Sequence, residues 1–296
     1  MIRVSFWGTR GSIVSPGPST RRYGGNTACV QLVGYREQVP GAAIHARNPL
    51  IVLDGGTGLA DLQPVLLRGA WGKGRGELHV LLSHYHWDHL IGLPFFAPMF
   101  FKGNRVVFHG ADDGDLQASI ERLFTSVYSP IKGTANLSAE ITYRTVEQEG
   151  KKKEIAGFDV TTAETCHPTR TLAFRVEDGD STVVYTTDHE AGDEEADRRV
   201  IELARGADLL IIDAQYTEEQ HRKHPGYGHS SHLEAVDIAM AAGAKRVALF
   251  HHNPEHDDDT LDRMRAEARE RAAGSPTSVV MARDGMVVDL GTTDRH

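Results

Sequence analysis

The stretch His84-Tyr85-His86-Trp87-Asp88-His89 follows directly on the apolar run LHVLLS, which the Gly-rich turn WGKGRG bounds upstream. That run reads as a buried strand. A strand that ends in histidines and a carboxylate places metal-binding atoms at the rim of a sheet, where an open coordination position faces a substrate. Neutral imidazoles with a carboxylate suit zinc, manganese or iron. The plain alternative is a polar loop rich in histidine, and a chain with 16 histidines will cluster some of them by chance. Three of them with an aspartate at a strand end are hard to obtain that way.

The same placement recurs along the chain. Asp54 ends the apolar run in PLIVLDGGTGL. His167 precedes a strand in TCHPTRTLAFRV, Asp188 follows one in STVVYTTDHE, and His251 follows one in KRVALFHHNPEH. The spacing H-x-H-x-D-H, with these downstream elements in this order, resembles the metallo-β-lactamase superfamily in its dinuclear hydrolase form, over about residues 1–256.

The resemblance implies an α/β fold, a four-layer αβ/βα sandwich of two mixed sheets flanked by helices, as a single domain over residues 1–296. It also implies two divalent cations, zinc or manganese, with iron as a further option. His84, His86 and His167 would hold one, Asp88, His89 and His251 the other, and Asp188 would bridge them. Asp54 would orient the site from behind the ligands. In the related tRNA 3′-end nucleases the ligating His falls three residues before a Pro, so Pro254 selects His251 over His252. His252 is then left to support a ligand, to face substrate, or to be a loop residue.

Composition bounds the rest. A chain of 296 residues, 40% hydrophobic and 25% charged, has ample material for a core. Two cysteines, Cys29 and Cys166, make no disulfide framework, and Cys166 is expected to be a small buried residue rather than a nucleophile. MIRVSFWG reads as a strand rather than a signal peptide, which points to a cytoplasmic enzyme. No apolar run approaches the roughly 20 residues that cross a membrane. A net charge of −9 argues against a large nucleic-acid footprint.

Periodicity predicts strands at 2–6, 28–34, 50–54, 77–82, 140–145, 157–162, 171–176, 182–187, 208–212, 245–250, 277–281 and 285–290. Helices are expected in TGLADLQPVLLRG, in DDGDLQASIERLF, and over 193–204, 231–242 and about 257–272. GYREQVPGAAIHARNP reads as a hairpin loop and EQEGKKKE as a solvated charged turn.

The substrate reading rests on two further segments. GYGHSSHLEAVDIAMAAGAKRVALFHH resembles the phosphodiesterase branch of the superfamily, where a G-H-S/T element precedes a helix and the last ligand. Carried over, His229 stands beside the scissile phosphate and protonates the leaving oxygen, a role suited to imidazole. The competing reading makes His229 and Ser230 part of a helix cap, although Ser230 or Ser231 could cap alone. FWGTRGSIVSPGPSTRRYGGNTACV could cradle an anion on backbone N–H groups, with Arg10, Arg21 or Arg22 pairing to phosphate and Tyr23 and Asn26 lining the pocket. A tight turn explains the glycines equally well.

This combination resembles bacterial cyclic-nucleotide phosphodiesterases and relatives of the cyclic-phosphate hydrolase of phosphonate metabolism. It implies hydrolysis of a small phosphodiester, a cyclic nucleotide above all, with Asp88 or Asp188 orienting the attacking water and a homodimer as the assembly. The long Gly/Pro-rich arm of tRNA 3′-processing enzymes is not found in this chain. A tRNA endonuclease without the arm, or a lactone or thioester hydrolase on the same metal site, are the competing readings.

Overall fold

The computed structural model describes residues 1–34, 50–111, 116–129, 131–146 and 150–291. Among the described residues fourteen strands divide into two seven-stranded sheets. In the first, β1 (Ile2–Gly8), β2 (Cys29–Gly34), β3 (Leu50–Leu53), β4 (Glu77–Leu81), β5 (Arg105–Ala111) and β6 (Glu140–Val146) lie side by side in chain order, with β14 (Val287–Leu290) outside β1. In the second, β7 (Lys153–Ile155), β8 (Phe158–Glu164), β9 (Leu172–Asp178), β10 (Ser181–Thr186), β11 (Leu209–Asp213), β12 (Arg246–Phe250) and β13 (Ser278–Met281) do the same.

Both sheets are mixed in the same way. β3 to β6 run parallel to one another, as do β10 to β13, while the remaining neighbours pair antiparallel. The parallel strands are buried on both faces, so they read as near-continuous apolar runs.

One core lies between the sheets and joins Val4, Phe6, Val30 and Leu53 to Phe174, Val183, Tyr185 and Phe250. A second packs α1 (Leu59–Leu67) and α3 (Leu116–Leu123) on the outer face of the first sheet. A third packs α4 (Glu194–Leu203), α6 (His232–Ala241) and α7 (Asp258–Arg271) on the outer face of the second. This is the four-layer αβ/βα sandwich that the family resemblance implies. Among the described residues no helix is long and apolar enough to cross a membrane.

Most expected elements fall within one or two residues of their observed bounds, and four were not anticipated, the one-turn helix α2 (Trp87–Leu90) among them. β5 carries His109 and Gly110 inside its run, which makes it look like a loop. β7 is mostly charged, and α5 (Glu218–Lys223) buries no residue, so neither shows an apolar period. A capping box between Thr217 and Gln220 starts α5 without help from packing. The expected hairpin loop lies mainly within 35–49 and the tip of the charged turn within 147–149, both outside the described residues.

Candidate metal centre

The ends of the parallel strands deliver the site. Asp54 follows β3, His84 comes shortly after β4, Asp188 after β10 and His251 after β12. Asp54, Asp188 and His251 take positive φ angles of 59°, 52° and 59°. That region is costly for a residue with a Cβ and persists only where the surroundings impose it. Each strand thus ends in a sharp turn that swings its functional side chain out of the sheet direction. His86 stands just before the one-turn helix α2 (Trp87–Leu90), which buries Asp88 and His89 and leaves Trp87 62% exposed.

These residues converge. One ligand atom from each of His84, His86, His167 and Asp188 lies within 4.8 Å of the others, and so do atoms of Asp88, His89 and His251. Asp188 joins the two groups, with Oδ2 3.6 Å from Nε2 of His84 and Oδ1 3.3 Å from Nε2 of His251. His251 Nε2 also lies 3.1 Å from Asp88 Oδ2. A third such group, Asp188, His229 and His251, overlaps both.

The chemistry of the donors fits divalent cations. Nε2 of His84 and of His89 is buried without a hydrogen-bond partner although carboxylates stand nearby, a costly state for a polar atom unless a cation is meant to take it. Burial, and then the charge of neighbouring imidazoles, holds His84 well below the usual histidine range. Burial likewise lowers His86 and His167, so all three offer free lone pairs. Burial alone would raise the Asp88 carboxyl, but His89 and His251 hold it far below its ordinary value. Asp188 is depressed in the same way by His251, His89 and His84. On His89 burial opposes protonation, yet Asp88, Asp188 and Asp54 raise it strongly, so the centre attracts positive charge.

Supporting contacts fix each ring. Asp54 is fully buried and accepts from Ser83 N, Ser83 Oγ, Tyr185 Oη and His89 Nδ1, each at 2.8 Å. Ser83 Oγ lies 3.1 Å from His84 Nδ1, so one carboxylate sets two rings. His167 Nδ1 donates to the Gly228 carbonyl at 3.0 Å. Gly228 has φ +85°, and a Cβ there would come within 2.0 Å of His167 Nδ1. A Cβ on Gly11 would meet His251 Nδ1 at 2.4 Å.

His229 sits against this cluster. Its Nδ1 donates to Asp213 Oδ2 at 2.7 Å, its ring stacks on His251 at 5.0 Å between centroids, and it meets His167 edge-on at 5.5 Å. Burial opposes charge on the ring, but Asp213, with Asp188 and Asp88, pushes it up to about 9. The cap of α6 belongs to Ser231, in a capping box with Glu234, and Ser230 donates to the His189 carbonyl. His229 therefore has no capping duty.

Two supporting acids escaped the sequence reading. Asp213 is the last residue of β11, much as Asp54 is the first after β3, the one available clue. Glu190 accepts from the amides of Gly226 and Gly228 at 2.7 Å each, turning the loop that carries His229.

The N-terminal loop corrects several expectations. Its amides are already committed: Thr9 and Arg10 donate to the Asn26 carbonyl, Gly11 to the His252 carbonyl, and Ser12 to Asp88 Oδ2 at 2.8 Å. The loop orients Asp88 instead of cradling an anion. Arg10 is fully buried and donates to the carbonyls of Gly24, Asn253 and His256, so it braces the turn after His251 and does not meet phosphate. Arg22 pairs with Asp258, Asp259 and Asp262. Tyr23 donates to Asp262, and Asn26 to Asp61 and the Trp7 carbonyl, so neither lines the site. His252 is buried, donates to the Ala282 carbonyl, and is pushed down to about 3 by burial and Arg10, so it does not face substrate. Cys166 is partly exposed rather than buried.

Fold and cluster together define a metal-dependent hydrolase of the metallo-β-lactamase fold. A family model described as a beta-lactamase superfamily domain matches residues 50–252, and the chain belongs to that superfamily. It is 31% identical over 216 residues to the probable metallo-hydrolase YhfI of Bacillus subtilis, covering 70% of this chain and 77% of that one. The crystal structure of YhfI superposes with a TM-score of 0.65 at 23% identity, over 97% of this chain and 98% of that one. A diphosphatase from the PhnP family gives a TM-score of 0.63 at 18% identity over 98% of each chain. The short form of human tRNase Z gives 0.63 at 20% identity, over 97% and 98%. At these identities the superpositions show the fold.

Proposed function

We propose that the protein is a phosphodiesterase that hydrolyses a small phosphodiester, a cyclic nucleotide above all. The observation that carries the reading is the His229–Asp213 pair beside the clustered ligands. With Nδ1 given to Asp213, Nε2 is left to pass a proton to a leaving oxygen, and Asp213 keeps the ring charged near neutral pH. Two relatives by fold, the diphosphatase and the tRNase Z, bear names that point to phosphate chemistry.

When bound, two divalent cations would supply Lewis acidity at phosphoryl oxygen and acidify water. His84, His86 and His167 would hold one, Asp88, His89 and His251 the other, with Asp188 shared. Asp88, held by the Ser12 amide, orients the attacking water in line with the scissile P–O bond. As that bond breaks, His229 protonates the departing ribose oxygen. Trp87, exposed between His86 and Asp88, offers a flat face for the base. The same reading gives a cytoplasmic homodimer acting as a single domain over residues 1–296.

The test is hydrolysis of 3′,5′- and 2′,3′-cyclic nucleotides with zinc or manganese, run beside a pre-tRNA, a lactone and a thioester. Cyclic-nucleotide product that disappears in His229→Ala, with metal content unchanged, is the expected result. Pre-tRNA trimming alone, or turnover of the lactone or thioester alone, would overturn the substrate class.

A further inference from the structure

The geometry points to a second ligand site, for a phosphate-bearing anion, in a cavity lined by Arg175, Arg198, Arg199 and Arg205. The cavity is a solvent-open concavity of about 650 Å³ between β8, β9 and α4, and none of its described lining residues belongs to the metal cluster. Such a volume lies in the range of small-molecule sites.

Four guanidiniums in one concavity are unexpected in a chain of net charge −9. Arg198 and Arg199 lie on α4, Arg205 follows it, and Arg175 comes from β9. Arg175, on β9, donates to the carbonyls of Leu203 and Arg205 and to Glu177. Arg199 donates to the Glu164 carbonyl and to Glu195, and Arg205 pairs with Glu202 at 2.6 Å. Arg175, Arg199 and Arg205 each meet at least one carboxylate, whereas Arg198 has no partner among the described residues. The guanidinium keeps its charge at any working pH and presents paired donors to phosphate oxygens. The anchored arginines fix the cavity wall while Arg198 supplies uncompensated charge, and Thr161 adds a hydroxyl at the wall. Among the described residues no aromatic side chain lines the cavity, which favours the phosphate itself over a stacked base as the recognised element.

The cavity also adjoins the backbone that carries the site. Arg199 holds the carbonyl of Glu164, three residues before His167. On the same helix, Asp197 receives the Nε2 proton of His189, the residue after Asp188.

The experiment is calorimetric titration of zinc-loaded protein with inorganic phosphate. Wild type, Arg198→Glu, Arg205→Glu and His86→Ala are compared, with thermal melts confirming that each variant is folded. The expected result is saturable binding that survives in His86→Ala and weakens at least tenfold in both charge reversals. Binding lost in His86→Ala but retained in the reversals would assign the phosphate to the metal centre and overturn the second site. So would the absence of saturable binding in every protein. Because the prediction does not depend on which ester is hydrolysed, failure of the phosphodiesterase reading leaves it standing.

Discussion

The carboxylate of Asp213 lies 2.7 Å from Nδ1 of His229, and the two residues are 16 positions apart in the chain. Asp213 is fully buried at the end of β11, and its other oxygen accepts from the Gln215 amide. It therefore acts as a positioning residue, fixing the tautomer and the charge of the ring.

Removing that charge gives the first prediction. In Asp213→Asn the imidazolium loses its main support, so the pKa of His229 falls from about 9. An acid must be protonated to act, so the alkaline limb of kcat moves to lower pH. Turnover at neutral pH should drop by about 10²-fold or more. Metal content, read by atomic emission, should stay at the wild-type level. A pH profile that keeps its alkaline limb would remove Asp213 from this role.

Asp54 tests the support behind the metal ligands. It receives four donors, from Ser83, Tyr185 and His89. Asp54→Asn turns an amide N–H₂ toward at least one of them and leaves buried donors unpaired, which costs roughly 1–3 kcal/mol. Metal affinity in chelator competition should fall about 10–100-fold. Unchanged affinity would mean that His89 is fixed by packing alone.

The glycines at the ligands give a steric test. Gly228→Ala places a Cβ 2.0 Å from His167 Nδ1 at φ +85°, and Gly11→Ala places one 2.4 Å from His251 Nδ1. Both variants should lose metal affinity. Gly206→Ala is the control, because its φ is +63° but nothing lies within 4 Å of the new Cβ. It should lose about 1–2 kcal/mol of stability and retain metal. If the control loses metal as Gly228→Ala does, backbone strain rather than ligand displacement explains that pair, and Gly11→Ala, whose φ is not positive, is left as the steric test.

What could be read in advance follows from what a sequence carries locally. Asp54, His84, Asp188 and His251 stand at the ends of apolar strands, so run and ligand appear together. Asp213 stands in the same kind of place, but the histidine that gives it meaning belongs to another loop. Glu190 is more hidden still, since its partners are the amides of Gly226 and Gly228. Arg10 shows the opposite error. An arginine among glycines looks like an anion ligand, but carbonyls at positions 253 and 256 enclose it, and only tertiary packing brings them there. The α5 helix, held by its cap and burying nothing, lacked the periodicity that reveals the longer helices.

A last prediction concerns acid stability away from the metal centre. His79 on β4 and His109 on β5 stack at 5.2 Å, with Nδ1 of the first 3.0 Å from Nε2 of the second. Burial, then His79, pushes His109 down to about 3 from an ordinary 6.5, and burial also lowers His79 despite Glu77. Below 6.5 the unfolded chain binds protons that the folded chain refuses, so stability falls as pH drops toward 3. At pH 5 His109 alone should cost about 2 kcal/mol relative to neutral pH. His109→Gln keeps a polar partner for His79 and removes this titration. The fall in Tm between pH 7 and pH 5 should therefore be smaller in the variant than in wild type. Comparing the two proteins cancels acid release of metal, which both share. Equal falls would place the acid sensitivity elsewhere, among the imidazoles of the metal centre.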